Sequence, residues 1–238
     1  VETKITGTVT PVLEVDLNAG EMVLATTGQM SWMTPSIQMK TTTAAGGSSG
    51  FFGGLKRALG GGGLFMTEYS APAAPGHVSF AAHVPGQIVA MPVEPARGYM
   101  VHRHGFMCGT SGVQIGTALQ RKLGVGIFGG VGFVLQHVTG TGTAWLELGG
   151  EIVERDLAGG ESLLVHPGHI GAFDDRVTFD VETIKGVKNA LFGGEGIFVV
   201  RLTGPGRIWL QTLTVPGLAH ALVPYLPKAS SSSSSDDT

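Results

Sequence analysis

His102-Arg103-His104 is the pattern in this chain best equipped for chemistry. On a β-strand, residues two apart share a face, so both imidazoles could bind one metal ion. In a β-barrel such a pair suggests a cupin-like oxygenase or isomerase, whose site also needs a nearby carboxylate and a further histidine. No Asp or Glu occurs from Ala96 through Trp145, Glu94 lies upstream, and Glu147 belongs to a later segment. The spacing therefore favours surface or hydrogen-bonded histidines over a metal centre. His166-Pro167-Gly168-His169 reads as a tight turn with two solvent-exposed imidazoles. Cys108, in Phe106-Met107-Cys108-Gly109, reads as a small buried residue. As the only cysteine it allows no intrachain disulfide and no four-thiolate zinc site. No catalytic residue, cofactor or metal site is assigned, and His102 and His104 are the residual metal candidates.

Three glycine stretches mark out the elements that would position these residues. Leu59-Gly60-Gly61-Gly62-Gly63-Leu64-Phe65 matches Phe128-Gly129-Gly130-Val131-Gly132-Phe133-Val134 and Phe192-Gly193-Gly194-Glu195-Gly196-Ile197-Phe198. A phosphate-binding loop needs a helix N-terminus after its glycines, and here short β-branched and aromatic runs follow, which argues against nucleotide binding. Each copy continues as a strand, a turn and a second strand. The turns are Ala74-Pro75-Gly76, Gly140-Thr141-Gly142 and Gly204-Pro205-Gly206, and the spacing predicts three β-hairpins. Leu17-Asn18-Ala19-Gly20-Glu21 resembles Leu157-Ala158-Gly159-Gly160-Glu161, with Val84-Pro85-Gly86-Gln87 as a weaker third copy. The expected fold is all-β, a β-sandwich or double-stranded β-helix. It is built from three tandem pseudo-repeats, at about 1–75, 76–145 and 146–215, that pack around a shared core.

In the return strands, Val78/Phe80, Ala144/Leu146/Leu148 and Ile208/Leu210 share one face. The other face carries Thr143/Trp145/Glu147 and Arg207/Trp209/Gln211. Indoles beside charge suggest a seam between layers or subunits, which makes Trp145, Trp209 and Arg207 interface candidates. Glu68, His137 and Arg201 hold one repeat position, five residues after the last motif glycine, and could meet as a pseudo-symmetric polar cluster. Short helices are expected at 51–59, 117–123 and around Gly217 to Leu222. The segment 230–238, serine-rich and acidic at its end, is expected to be disordered, leaving one β domain over residues 1–229.

Charged residues make up only 14% of the 238, well below the ordinary share, which implies that part of the surface is covered by another subunit. With 15 Lys+Arg against 18 Asp+Glu and no basic run, duplex nucleic acid is not an expected partner. No apolar window approaches the length of a spanning helix, and the start lacks a signal-peptide core, so the expected location is cytoplasmic.

Pro11-Val12-Leu13-Glu14-Val15 with Ala19-Gly20-Glu21, then Gly53-Gly54-Leu55-Lys56-Arg57, then the second and third glycine motifs carry a family likeness. Leu202-Thr203-Gly204-Pro205-Gly206-Arg207-Ile208-Trp209-Leu210-Gln211 is its most specific stretch. Together these segments resemble prokaryotic members of the altered inheritance of mitochondria protein 24 family. Gly62 and Val131 depart from the acidic residue that Glu195 keeps. The resemblance implies a fold similar to that of the tryptophan RNA-binding attenuation protein and no established reaction. Its eukaryotic members are associated with mitochondrial inner-membrane organisation. The resulting expectation is a non-enzymatic, self-associating scaffold or binding module, a homo-oligomer of three or more copies with an unknown protein partner. The alternatives are a cupin-like metal enzyme using His102 and His104, and an RNA-binding module.

Overall fold

Val12-Leu13-Glu14-Val15-Asp16-Leu17 alternates apolar with acidic residues, and it folds as a strand burying Leu13, Val15 and Leu17 while Asp16 faces water. The same period of two governs much of the chain and makes it a β protein. The computed structural model describes residues 1–42, 66–121, 133–184 and 197–226. The glycines of the three motifs, the segment 51–59 expected to be helical and the serine-rich tail lie outside the described residues.

The first strands are β1 (Glu2–Thr6), β2 (Val12–Leu17), β3 (Met22–Thr26), β4 (Met30–Met33), β5 (Gln38–Thr42), β6 (Met66–Ser70) and β7 (Gly76–Ala81). Then come β8 (Gly86–Val93), β9 (Tyr99–His102), β10 (Phe106–Thr110), β11 (Val113–Arg121), β12 (Phe133–Gly140) and β13 (Gly142–Gly149). The last are β14 (Ile152–Leu157), β15 (Ser162–Val165), β16 (Ile170–Asp174), β17 (Thr178–Ile184), β18 (Ile197–Thr203) and β19 (Gly206–Gln211). A helix, α1 (Val215–Leu222), follows them; Thr214 caps it by accepting from the Gly217 N–H at 3.0 Å.

These strands form four antiparallel sheets. Sheet I has the order β1-β2-β7-β4, and sheet II has β5-β6-β3-β10-β13-β8. Sheet III has β11-β12-β9-β16-β19-β14, and sheet IV has β15-β18-β17. Among the described residues, apolar side chains fall into three cores, one between each successive pair of sheets, instead of the single shared core expected. Sheets I and II enclose Leu13, Val15, Tyr69, Phe80 and Trp145. Sheets II and III enclose Tyr99, Val101, Leu146, Leu148 and Trp209. Sheets III and IV enclose Leu135, Phe173, Val200 and Ile208. Sheets II and III are thus buried on both faces, and this divides the interior.

The expected hairpins are not formed. β6 and β7 lie in different sheets, as do β12 and β13, and β18 and β19. The turns Ala74-Pro75-Gly76, Gly140-Thr141-Gly142 and Gly204-Pro205-Gly206 instead carry the chain from one layer to the next. Gly140 and Gly142 have φ of +101° and +133°, which L side chains rarely adopt, so this crossing needs glycine. The strands that do pair around each motif are β5 with β6, β11 with β12, and β17 with β18. Thr117–Arg121, expected within a short helix, is instead the end of β11, held by its ladder to β12.

Glu21 and Glu161 close equivalent turns, accepting from the backbone N–H of Asn18 at 2.8 Å and Ala158 at 2.9 Å, with Gly20 and Gly160 at φ +86° and +81°. Val84-Pro85-Gly86-Gln87 makes no such turn between strands. It leads into β8, which ends sheet II as β14 ends sheet III.

Trp145 and Trp209 are each 5% exposed and sit on the faces opposite Leu146 and Ile208, as alternation requires. Trp209 meets Tyr99 edge-on with ring centroids 5.7 Å apart. Trp209→Ala is expected to lower stability by about 3–5 kcal/mol, read as a shift of the urea unfolding midpoint. A shift below about 1 kcal/mol would contradict this burial.

Candidate functional site: a polar cleft and two open sheet ends

Glu147 leaves β13 toward a cleft of about 610 Å³, lined among others by Gln29, His83, His102, His104 and Gln211. The residue is 6% exposed, and its carboxylate accepts the His83 backbone N–H at 2.6 Å. It also accepts Gln29 Nε2 at 3.2 Å and lies 3.1 Å from His83 Nδ1. Gln29 further donates to the Ala81 carbonyl. Glu147 therefore joins sheet II to the loops beside sheet I. Two residues beyond Trp209, Gln211 acts in the same way. It accepts the Gly149 N–H and donates to the Gly168 carbonyl, both at 2.9 Å. Sequence reading placed both residues on the Trp face but missed this joining role; the signal was a polar residue two after each Trp.

His102 and His104 are not a strand pair. β9 ends at His102, and the chain turns through Arg103, leaving His104 exposed. The His104 N–H donates to His102 Nδ1 at 3.4 Å, just as the Gly168 N–H donates to His166 Nδ1 at 3.4 Å. Both imidazoles accept at a turn, which suits the neutral ring. His102 Nε2 is sealed from solvent and makes no well-formed hydrogen bond among the described residues. Burial, reinforced by the neighbouring His104, pulls the His102 pKa down to about 4, with the Glu147 backbone pulling the other way. Burial also lowers His104, helped by Arg103, and lowers His166, helped by His169. His169 Nδ1 bonds the Gln211 carbonyl oxygen at 2.8 Å, so this imidazole is tied to the protein. Among the described residues no group of three His, Cys, Asp or Glu could hold a metal ion.

The other candidates go separate ways. Glu68 stands opposite Lys40 in sheet II, His137 lies 3.2 Å from Asp175 beside sheet III, and Arg201 pairs with Glu182 in sheet IV. Each has its own neighbour on its own sheet. Arg207 spans Asp156 and Glu154 at 2.7 and 3.2 Å, two residues before Trp209 and on the same face of β19. Cys108 is buried in the first core, and that burial pushes its thiol pKa far up.

At the outer ends of the stack, large apolar side chains face solvent. Trp32 on β4 is 50% exposed and Leu164 on β15 is 47% exposed. Among the described residues each lies on a strand with a single ladder neighbour, β7 or β18. The helix α1 buries none of its residues.

Two tests follow from the cleft. Glu147→Ala strands the His83 and Gln29 donors and should cost about 2–4 kcal/mol, read by urea unfolding at neutral pH. For His102, an unfolded ring titrates near 6.5 and the folded one near 4. Above 6.5 neither state carries the proton. As pH falls through this window, only the unfolded chain binds it, so stability drops, and the loss levels off below about 4. The drop attributable to His102 is about 3 kcal/mol and should vanish in His102→Gln. An NMR titration showing His102 protonated at pH 6 would contradict it.

Residues 3–213 match the family model described as Mitochondrial biogenesis AIM24. An uncharacterised protein from Streptococcus pyogenes is 28% identical over 226 residues, covering 92% of this chain and 88% of its own. A crystal structure of a Streptococcus pyogenes protein superposes with a TM-score of 0.75 at 25% identity, over 94% of this chain and 99% of that one.

Proposed function

This chain belongs to the AIM24 family, and from that premise we propose that it works as a self-associating scaffold or binding module with no reaction of its own. The observation that carries this reading is the contrast among three tryptophans. Trp145 and Trp209 are each 5% exposed between layers, whereas Trp32 is 50% exposed on the outermost sheet. All three stand on strands joined by cross-strand partners of the same kind. Trp145 faces Cys108, Trp209 faces Ala172, and Trp32 faces Ser79. Each pair sets one indole against one small residue.

The reading takes the chain as three tandem units, β2–β7, β8–β13 and β14–β19, with boundaries a few residues later than the glycine motifs suggest. Each unit hands half of its strands to one sheet and half to the next. Trp32 is then the indole on the outward face of the first unit, left half exposed by the described residues. A surface built to be covered, in a chain with 14% charged residues, fits a protein that acts by assembly. The polar cleft fits the same reading, because Glu147 and Gln211 spend their hydrogen bonds on holding layers together.

Light scattering of the full chain at micromolar concentration should give a mass of several copies. A monomer there would remove self-association.

A further inference from the structure

Sheets II and III are each made of two three-strand halves joined at a single seam. In sheet II the seam is β3 against β10, with Ala25↔Cys108, Leu24↔Gly109 and Val23↔Thr110 opposed. In sheet III it is β9 against β16, with Val101↔Ala172, Met100↔Phe173 and Tyr99↔Asp174 opposed. Sheet IV, with order β17-β18-β15, has the arrangement of the first half, β5-β6-β3 or β11-β12-β9. In sheet I, β4-β7-β2 has the arrangement of the second half, β10-β13-β8 or β16-β19-β14. The two ends of the stack are thus complementary halves of a sheet that the chain builds twice in full.

We infer that β15 of one copy pairs antiparallel with β4 of a second copy, so that sheet IV of the first continues into sheet I of the second. This rests on the self-association proposed above and names its partner surface. Register comes from the bulges. β10, β16 and β4 each shift register against their neighbour, between Phe106 and Cys108, Ile170 and Ala172, and Met30 and Trp32. Trp32 therefore corresponds to Cys108 and Ala172. On the other strand, Ala25 opposes Thr67, Val101 opposes Gln136 and Val165 opposes Val200, each four residues after the last motif glycine. Val165 therefore corresponds to Ala25 and Val101. The new seam sets Trp32 against Val165, Met33 against Leu164 and Thr34 against Leu163.

Side-chain facing supports this register on both sides of the sheet. Val165 and Leu163 face the core between sheets III and IV, so Trp32 would enter that core in the neighbouring copy. There it would meet Phe198 and Val181, which are only partly buried in one chain. Met33 packs on the core between sheets I and II, so Leu164 would land beside it. Leu24, at the position of Leu164 in the first seam, is 6% exposed where Leu164 is 47% exposed. Each end thus carries the apolar residue that the other end's core lacks. Edge strands with apolar side chains and no charge are templates for another strand, and neither Met30–Met33 nor Ser162–Val165 contains Lys, Arg, Asp or Glu. The contact is head-to-tail, because the two surfaces differ, and it closes into a ring or runs on as a filament according to the rotation per copy.

Cysteine cross-linking of the full chain tests it. Cys108 is buried, so introduced thiols are the reactive ones. A Met33→Cys chain mixed with a Leu164→Cys chain should form a mixed disulfide dimer under mild oxidation, in clear excess over either chain alone. Trp32→Lys, at a half-exposed site, should keep the circular dichroism spectrum and weaken association by about tenfold or more. An assembly that persists without the mixed disulfide, or that tolerates Trp32→Lys, overturns this seam and leaves self-association standing. A disulfide formed only within single chains carrying both cysteines also overturns it. A wild-type monomer overturns both.

Discussion

A β-sheet buried on both faces has no polar side to spare, and that constraint organises this protein. Sheets II and III must present apolar side chains above and below, so consecutive residues such as Ala144, Trp145 and Leu146 are all buried but enter different cores. Bulky indoles fit only where the facing strand gives way. Cys108 and Ala172 make that room for Trp145 and Trp209. Ladder geometry, side-chain volume and layer order are therefore set together: enlarging Cys108 would push Trp145 out of the first core.

Much of this was legible in residue order. Alternation identified β7, β13 and β19 and assigned their faces. The opposed roles of Trp145 and Leu146 follow directly from the period of two. What alternation cannot report is which strand lies alongside which. Gly140-Thr141-Gly142 has the composition of a hairpin turn, yet its glycines at positive φ swing the chain between layers. Local chemistry fixes that a bend occurs; the two neighbouring cores decide where the bend leads. Thr117 to Arg121 failed for a related reason, since its long polar side chains suit a helix until β12 supplies a ladder.

The candidate site was legible only in its ingredients. His102 and His104 share a strand face on paper, but the strand ends at His102 and the intervening turn separates them. Glu147, far from both in sequence, comes to the same cleft because β13 and β10 are ladder neighbours. Glu68, His137 and Arg201 occupy equal positions in sequence, yet equal positions fall on three successive sheets and so cannot converge. Equivalence along a chain implies spatial convergence only when the copies surround one axis. Here three cores lie between successive sheets.

Glu147 and Gln211 act as dowels between layers that apolar contact alone would leave free to slide. A grease-like interface resists separation but offers little resistance to shear, whereas a buried carboxylate or amide that loses its donors on sliding does resist it. A laminate pinned in this way transmits sideways load through its thickness and yields first by peeling at its outermost strands. That mechanical character suits a part that must keep its shape while its end faces are engaged.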